Sequence, residues 1–333
     1  MSRFVILIWK AQRKQKPILF GLWLAILCLS ALTFSFAQAG KAYPDLTFLV
    51  SPLEQDMDAG PHIPIDAETG YAAKAENYVS GTEYRDETLH VVIETDRYRG
   101  TDIWIARVEI AHPSQLRSAF VGSYGGQMTA LAATAAKRVN AVVAINADYH
   151  SFGNSGIILR QGHLFRNRPD GTADILFIDI NGDFHTLVGA TKESFLKTYD
   201  ALGGAWDSGG NIVNIFTFGP VLVKNGASVH DSFTHDHTAQ NKPAQRAIIA
   251  QTGPLSYLLL ASEGPESPNS YGLTLKQLEK YLIELGCDTA YNLDGGSSTS
   301  LVFCHEKINS PDTKIRPIAD IIYFATACTD GEA

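Results

Sequence analysis

Cysteine is scarce in this sequence, with four residues in a chain of 333. None of them has the close spacing of a metal-binding cysteine pair, which excludes that kind of site. Cys28 lies in the N-terminal segment, and Cys287, Cys304 and Cys328 follow it. These last three leave two interpretations open: one disulfide with a free thiol, or three reduced thiols.

Several functional motifs are absent as well. The chain has no G-x-S-x-G elbow, no Walker loop, no H-E-x-x-H pair and no G-x-G-x-x-G loop between a strand and a helix. It also lacks low-complexity tracts, and its 45% apolar and 19% charged residues are typical of a packed globular protein. We therefore expect a folded protein that uses no nucleotide or other cofactor.

Positive charge is in the minority. Lys and Arg total 27 against 35 Asp and Glu, a formal net charge of −8, which becomes −13 without the five bases of residues 1–39. Such a surface repels nucleic acid and anionic lipid. The sequence therefore predicts no nucleic-acid partner, and a phosphate group in a ligand must be held by local groups.

Residues 1–39 differ from the rest of the chain. A basic stretch without acids precedes an apolar run from Pro17 to Ala37, and Ala37-Gln38-Ala39 has the small-x-small pattern read by signal peptidase. The run is also roughly long enough to span a bilayer, with its basic flank on the cytoplasmic side. A cleaved signal peptide and a retained membrane anchor are the two alternatives. We favour cleavage after Ala39 and export to the periplasm, the cell surface or the exterior.

The remainder divides into a lead-in and one main domain. Residues 40–85 carry four prolines and little periodicity, which predicts an extended lead-in or spacer. Residues 86–327 show regular apolar patterns. These predict a strand pair at Leu89–Glu94 and Asp102–Ala111, a helix at Thr129–Arg138 and a buried strand at Ala141–Ile145.

Glycine turns then separate short apolar runs at Gln161-Gly162, Asn181-Gly182 and Asn225-Gly226. Asn-Gly favours a two-residue hairpin turn with positive φ at both positions. Leu275–Leu285 has a helical apolar stripe, capped by Thr274 and Gln277. Many strands and few helices predict an α+β fold: a mixed, largely antiparallel sheet with a few flanking helices in a single main domain.

The loop Asn292-Leu293-Asp294-Gly295-Gly296-Ser297-Ser298 follows a predicted buried strand. A carboxylate at a strand end, glycines that expose backbone N–H groups, and hydroxyl donors together suit an anionic or polyhydroxyl ligand. The alternative is a plain turn that the aspartate caps.

A second polar stretch, Asn146-Ala147-Asp148-Tyr149-His150, also follows a buried strand, and an Asx turn is its alternative. Arg246 heads an otherwise apolar strand. Such an arginine is either a rim residue with its guanidinium in water or a cleft residue that binds carboxylate or phosphate. The polar loop that runs from His230 to His237 has no regular ligand spacing, so we predict no metal site there.

Six motifs occur in one order: N-A-D-Y-H at 146–150, Gly219-Pro220, Arg246, Gly272-Leu273-Thr274-Leu275, N-L-D-G-G-S-S at 292–298, and Arg316-Pro317-Ile318-Ala319-Asp320. Over about residues 86–327 this set resembles the phosphodiester glycosidase family, whose bacterial members are often described as exopolysaccharide biosynthesis proteins. The chain departs from the family pattern at Ala147, Gln245, Pro265 and Ser297. Pro265 stands where many members have an arginine.

The resemblance implies hydrolysis of a sugar–phosphate glycosidic bond in a sugar-1-phosphodiester of a glycan or exopolysaccharide. Because a phosphate ester leaves readily, neutralising its charge matters more than general-acid help. Carried over residue by residue, the resemblance implies Asp294 as the first choice for the catalytic carboxylate, Asp148 as the second, and Arg246 on the phosphate. The implied substrate-binding residues are Asn146, Tyr149, Asn292, Gly295, Gly296 and Ser298.

Two other functions remain open. The departures at Ala147, Ser297 and Pro265 also suit a non-catalytic protein that binds a glycan or cell-envelope polymer, either released or tethered to the membrane through residues 1–39. A metal-dependent phosphodiesterase that uses Asp148, His150 and Asp294 would cleave the P–O bond instead of the C–O bond.

Overall fold

The computed structural model describes residues 61–122, 124, 129–149, 155–169, 173–205, 210–229, 242–310 and 314–329. All of them lie in one compact unit. Residues 1–39, His150 and the loop from His230 to His237 fall outside the described residues. Within the described ranges, no helix has both the length and the apolarity needed to cross a membrane.

The described residues form short strands joined mainly by hairpins, with three α-helices. The strands are β1 (Tyr78–Ser80), β2 (Glu83–Arg85), β3 (Leu89–Tyr98), β4 (Thr101–Ile110), β5 (Leu116–Phe120), β6 (Val143–Asn146), β7 (Gly156–Arg160), β8 (His163–Arg168), β9 (Ile175–Asp179), β10 (Phe184–Leu187), β11 (Ile212–Phe216), β12 (Val221–Lys224), β13 (Ala227–Ser228), β14 (Arg246–Gly253), β15 (Ser256–Ser262), β16 (Thr289–Asn292), β17 (Leu301–Phe303), β18 (Glu306–Lys307) and β19 (Asp320–Phe324). The helices are α1 (Ala132–Arg138), α2 (Lys192–Ala201) and α3 (Leu275–Glu284).

These strands form three sheets. The largest has the order β1-β2-β3-β4-β15-β14-β16-β12-β13, and two five-stranded sheets have the orders β10-β9-β11-β7-β8 and β18-β17-β6-β19-β5. Every pairing between described strands is antiparallel. The predicted largely antiparallel arrangement with a few flanking helices is therefore confirmed, but the described strands form three sheets instead of one, and none of their pairings is parallel. The chain is mostly β, and the α+β class fits it only roughly.

One core is shared by all three sheets. Leu259 of the large sheet, Phe324 of one small sheet and Leu176 of the other belong to the same buried apolar cluster. Helix α3 covers the opposite face of the large sheet, where Leu278 packs in a second cluster with Ile248. Because apolar side chains face the sheets from both sides, the central strands of the large sheet are fixed in place, and so are the loops that follow them.

Local sequence signals set most of the elements. Helix α3 begins after Thr274, with the predicted capping box to Gln277. The turn at Asn225-Gly226 has positive φ at both positions, as predicted. At Asn181-Gly182 only the glycine has positive φ, because the Asp179 carboxylate accepts the N–H groups of Asn181 and Asp183 and sets a wider loop. The strands β1 and β2 lie in the stretch interpreted as a lead-in and pair at the edge of the large sheet.

Candidate active site

The two polar stretches that follow β6 and β16 lie side by side. The N–H of Asp294 donates to the carbonyl of Ala147 at 3.1 Å. The side-chain amide of Asn146 donates to the carbonyl of Asp294 at 2.6 Å, and its oxygen accepts the N–H of Ser300 at 2.9 Å. Asn146 is buried, and the nitrogen and the oxygen of its side-chain amide both form hydrogen bonds with the loop that follows β16.

Asp294 lies next to an arginine that the sequence had not marked as a site residue. Nη2 of Arg316 lies 2.6 Å from Oδ2 of Asp294, and Nε of Arg316 donates to the hydroxyl of Ser298 at 2.8 Å. The guanidinium also stands 4.8 Å from the centre of the Tyr149 ring, within cation–π range. The side chains of Arg316 and Asp294 are 35% and 13% exposed, so a solute can reach this ion pair.

A second ion cluster lies beneath it, fully buried. Nη2 of Arg160 lies 2.9 Å from Oδ2 of Asp148 and 2.9 Å from Oδ2 of Asp320. The Arg160 guanidinium also stacks on the ring of Phe216 at 4.0 Å. Asp148 is 3% exposed at its side chain, and its Oδ2 also accepts the N–H of Thr217. One guanidinium thus holds two carboxylates in a region that excludes water.

The negative charge of each carboxylate affects the pKa of its neighbours. Burial raises the pKa of Asp294, the Ser298 hydroxyl and Arg316 oppose the rise, and the negative charge of Asp148 adds to it. Burial raises the pKa of Asp320 to about 6, with Arg160 opposing and the charge of Asp294 adding. Asp294, Asp148 and Asp320 therefore act as one electrostatic group around Arg160 and Arg316.

The glycine loop packs against the strand that Arg246 begins. A Cβ on Gly295 would lie 2.7 Å from the carbonyl oxygen of Gln245, so the backbone approach requires glycine there. Gly296 has φ of +60°, and its N–H donates to that same carbonyl at 3.0 Å, so this amide is engaged within the protein. Across the part of the chain that the structure describes, the N–H groups of Gly295 and Ser297 make no hydrogen bond. These two N–H groups are therefore available to bind an anion.

Arg246 and Asn292 anchor backbone carbonyls around the loop. The buried Arg246 guanidinium donates from Nε to Leu273 at 3.2 Å and from Nη2 to Lys242 at 2.7 Å. Burial lowers its pKa to about 10. The amide of Asn292 donates to the carbonyl of Gly219 at 2.7 Å. The guanidinium of Arg246 is thus not a rim group in water.

Three charged residues of these clusters were not among the predicted site residues. Arg316 and Asp320 belonged to the closing motif, but no role was given to them. Arg160 ends an apolar strand before a glycine turn, a position that carries no distinguishing signal. Among the residues with described positions, no group of three or more His, Cys, Asp and Glu could hold a metal ion. The candidate ligands His150 and His230–His237 lie outside these residues.

Comparison with known proteins gives a family and a fold. The catalytic domain of zebrafish N-acetylglucosamine-1-phosphodiester α-N-acetylglucosaminidase, auto-inhibited by its pro-peptide, matches with a TM-score of 0.56 and 17% identity, over 78% of this chain and 87% of that one. A hypothetical protein from Synechocystis matches with a TM-score of 0.45 and 17% identity, over 71% of this chain and 62% of that one. No curated protein sequence matches significantly. At such identities the zebrafish structure shows the fold alone.

A family model described as phosphodiester glycosidase matches residues 139–325, a range that includes both strand-end stretches, Arg160, Arg246 and Arg316. That range is more than half of the chain, and the resemblance seen in the six ordered motifs is confirmed: the chain belongs to the phosphodiester glycosidase family.

Proposed function

We propose that this protein is an exported glycosidase that hydrolyses the bond between a sugar and the phosphate of a sugar-1-phosphodiester. The observation that carries the proposal is the accessible pair of Asp294 and Arg316, 2.6 Å apart, at the joined ends of β6 and β16 in a chain of this family. A carboxylate for the sugar and a guanidinium for the phosphate are the two charges that the reaction requires.

In this reaction the bond between C1 of the sugar and the phosphate oxygen breaks, and its electron pair leaves with the phosphate ester. Water adds to C1 and gives up a proton. Arg316 would neutralise the leaving phosphate, together with the free N–H groups of Gly295 and Ser297. Asp294 would stabilise positive charge at C1 or accept the proton of the water.

In this proposal Arg316 contacts the phosphate and Asp294 acts at the sugar. Arg246 is then no longer the arginine that binds the phosphate. The Arg246 guanidinium is bound to the carbonyls of Leu273 and Lys242, and its strand supports Gly295 from behind. We assign it a positioning role. Tyr149 and Ser298 orient the Arg316 guanidinium from its face and its edge.

Asp148 remains the second candidate carboxylate. Its contact with Arg160 fixes it in the buried cluster, where its negative charge raises the pKa of Asp294. Asn146 and Asn292 hold the strand ends on which both aspartates stand. In this assignment, the raised pKa makes Asp294 a better proton acceptor than an exposed aspartate.

Membership of the family supports a sugar-1-phosphodiester as the substrate class. The name of the zebrafish relative specifies an N-acetylglucosamine-1-phosphodiester, so this compound is the first to test. We further propose a glycan or exopolysaccharide as the natural source of the linkage. Export through residues 1–39 would bring the protein to such polymers, either released or tethered at the membrane.

The test is incubation of the purified protein with a panel of sugar-1-phosphodiesters in heavy-oxygen water, with products identified by mass. Release of a reducing sugar that carries the heavy oxygen supports the proposal. Heavy oxygen in the phosphate indicates P–O cleavage and favours the metal-dependent phosphodiesterase. Binding without any product favours the glycan-binding alternative.

A further inference from the structure

An open cavity of about 660 Å³ lies between β5 and β8, which are the edge strands of the two five-stranded sheets. Cavities of this size take a sugar ring or a short oligosaccharide. Its wall includes Arg160, whose guanidinium contacts Asp148 and Asp320 at the candidate active site. The cavity therefore lies next to Arg160, the residue that contacts both carboxylates, although the side chain of Arg160 is only 2% exposed.

Three aromatic rings line one side of this cavity. The ring of Phe165 lies 4.8 Å from Phe120 in an edge-to-face arrangement and 5.2 Å from Tyr124. Nε of Arg166 donates to the Tyr124 hydroxyl at 3.1 Å, which fixes that ring. Phe165 is 38% exposed, so an apolar surface faces solvent from a rigid support. A rigid exposed aromatic surface suits the apolar C–H face of a sugar ring at little cost in conformational entropy.

Another part of the cavity wall is a segment of chain that carries polar side chains and is fixed by hydrogen bonds. Arg117, itself buried, donates to the carbonyls of Pro64 at 3.3 Å and Ala67 at 2.5 Å. These bonds fix the stretch that carries the exposed carboxylates of Asp66 and Glu68 on the cavity wall. Carboxylates on a cavity wall accept hydrogen bonds from sugar hydroxyls.

The charge of the cavity differs from that of the candidate active site. Asp66 and Glu68 supply two negative charges and Arg138 supplies one positive charge. The positive charge of Arg160 is offset by the two carboxylates it contacts. Arg166, which is bound to the cavity residue Tyr124, adds a second positive charge, so the local charges are balanced and suit a neutral or amino sugar.

From these observations we propose that the cavity is a second carbohydrate subsite, which binds a neutral or amino sugar ring of the glycan whose phosphodiester reaches Asp294 and Arg316. The assignment to the same glycan rests on the proposed function. The subsite gives the protein a preference for chain-extended substrates over a minimal sugar-1-phosphodiester.

The test measures binding by titration calorimetry with the full chain and three neutral probes: chitotriose, maltotriose and mannotriose. We expect at least one probe to bind, and Phe165→Ala to weaken that binding about tenfold through loss of the aromatic surface. Glu68→Gln should weaken it less, and Phe165→Trp should retain it. The matched control is Tyr271→Ala, because Tyr271 is an aromatic residue 76% exposed and does not line the cavity.

The proposal is overturned if no probe binds at about 10 mM, a concentration that detects even weak sites. It is also overturned if Phe165→Ala and Glu68→Gln weaken binding no more than Tyr271→Ala does. Because binding needs no turnover, the two proposals fail separately: oligosaccharide binding without hydrolysis of any phosphodiester contradicts the proposed function and leaves the subsite intact. Hydrolysis without oligosaccharide binding contradicts the subsite and leaves the proposed function intact.

Discussion

Arg316 and Asp294 form an ion pair across 22 residues of sequence, with Nη2 of the arginine 2.6 Å from Oδ2 of the aspartate. The same guanidinium donates to Ser298 and lies over Tyr149, so it is held on three sides. A phosphodiester that enters the site offers Arg316 a second anion, which competes with the Asp294 carboxylate for the guanidinium. Substrate binding would then loosen Arg316 from Asp294 and leave the carboxylate facing the sugar.

Substitution of Asp294 tests the assignment of the catalytic carboxylate. Asp294→Asn keeps the shape of the side chain but removes its negative charge, so kcat on a sugar-1-phosphodiester should fall by about 10²–10⁴-fold. Steady-state kinetics measures the loss, and a thermal melt should show an intact fold. Asp288→Asn, at the other end of β16, is the matched control and should behave like the unsubstituted protein. Near-normal turnover of Asp294→Asn would contradict the assignment.

Substitution of Arg316 should move the pH dependence of the reaction. Arg316 lowers the pKa of Asp294 against the effect of burial, so its removal raises that pKa further. If Asp294 acts as a carboxylate, the acid limb of the kcat/KM profile must move to higher pH in Arg316→Ala. Arg316→Lys retains a positive charge and should move the limb less. An unchanged acid limb in Arg316→Ala would show that another group controls it.

Sequence patterns predicted the local parts of this fold well. The capping box of α3, the Asn225-Gly226 turn between β12 and β13, and the strand ends before Asp148 and Asp294 each depend on a few neighbouring residues. The division into three sheets was not predicted, because hairpin signals specify which strands pair locally and not how the pairs assemble. The Asn-Gly signal at Asn181-Gly182 also failed to predict the turn conformation, because the Asp179 carboxylate accepts two N–H groups of that loop.

The site was predicted only in part, for a related reason. Asp294 and Asp148 stand out because each follows a buried strand, but their partners are distant in sequence. Arg316 reaches Asp294 from a loop, and Arg160 joins Asp148 to Asp320, which lies 160 residues after Arg160. No spacing rule marks such pairs. Arg246 fitted the expectation for a phosphate ligand by its position, but its guanidinium is bound to backbone carbonyls.

The two loop glycines should respond differently to alanine. Gly295→Ala places a Cβ 2.7 Å from the carbonyl of Gln245, so the loop must shift and activity should fall about tenfold or more. Gly296→Ala meets no atom within 4 Å and costs about 1 kcal/mol of unfolding free energy from its positive φ. Gly226→Ala, which also has positive φ and open space, is the control for that strain alone. Kinetics and denaturant unfolding measure the two effects, and equal activity losses at Gly295 and Gly296 would contradict the steric explanation.

Loss of Arg160 should expose the electrostatic cost of the buried cluster. Arg160→Met leaves Asp148 and Asp320 buried without their shared counter-charge, which should cost about 3–5 kcal/mol of unfolding free energy at neutral pH. Burial raises the folded pKa of Asp320 from 3.8 to about 6, so its contribution to stability is full below pH 3.8 and is lost as the pH rises through 6. Arg160 lowers this pKa, so in Arg160→Met the loss extends to higher pH, and the variant should be closer to the unsubstituted protein at acid pH than at neutral pH. Urea unfolding of both proteins across this pH range measures the difference in unfolding free energy.

Arg107→Met is the control, because its partner Glu94 is 29% exposed and can be hydrated. A pH-independent deficit in Arg160→Met would show that lost packing against Phe216, and not the carboxylates, sets the cost.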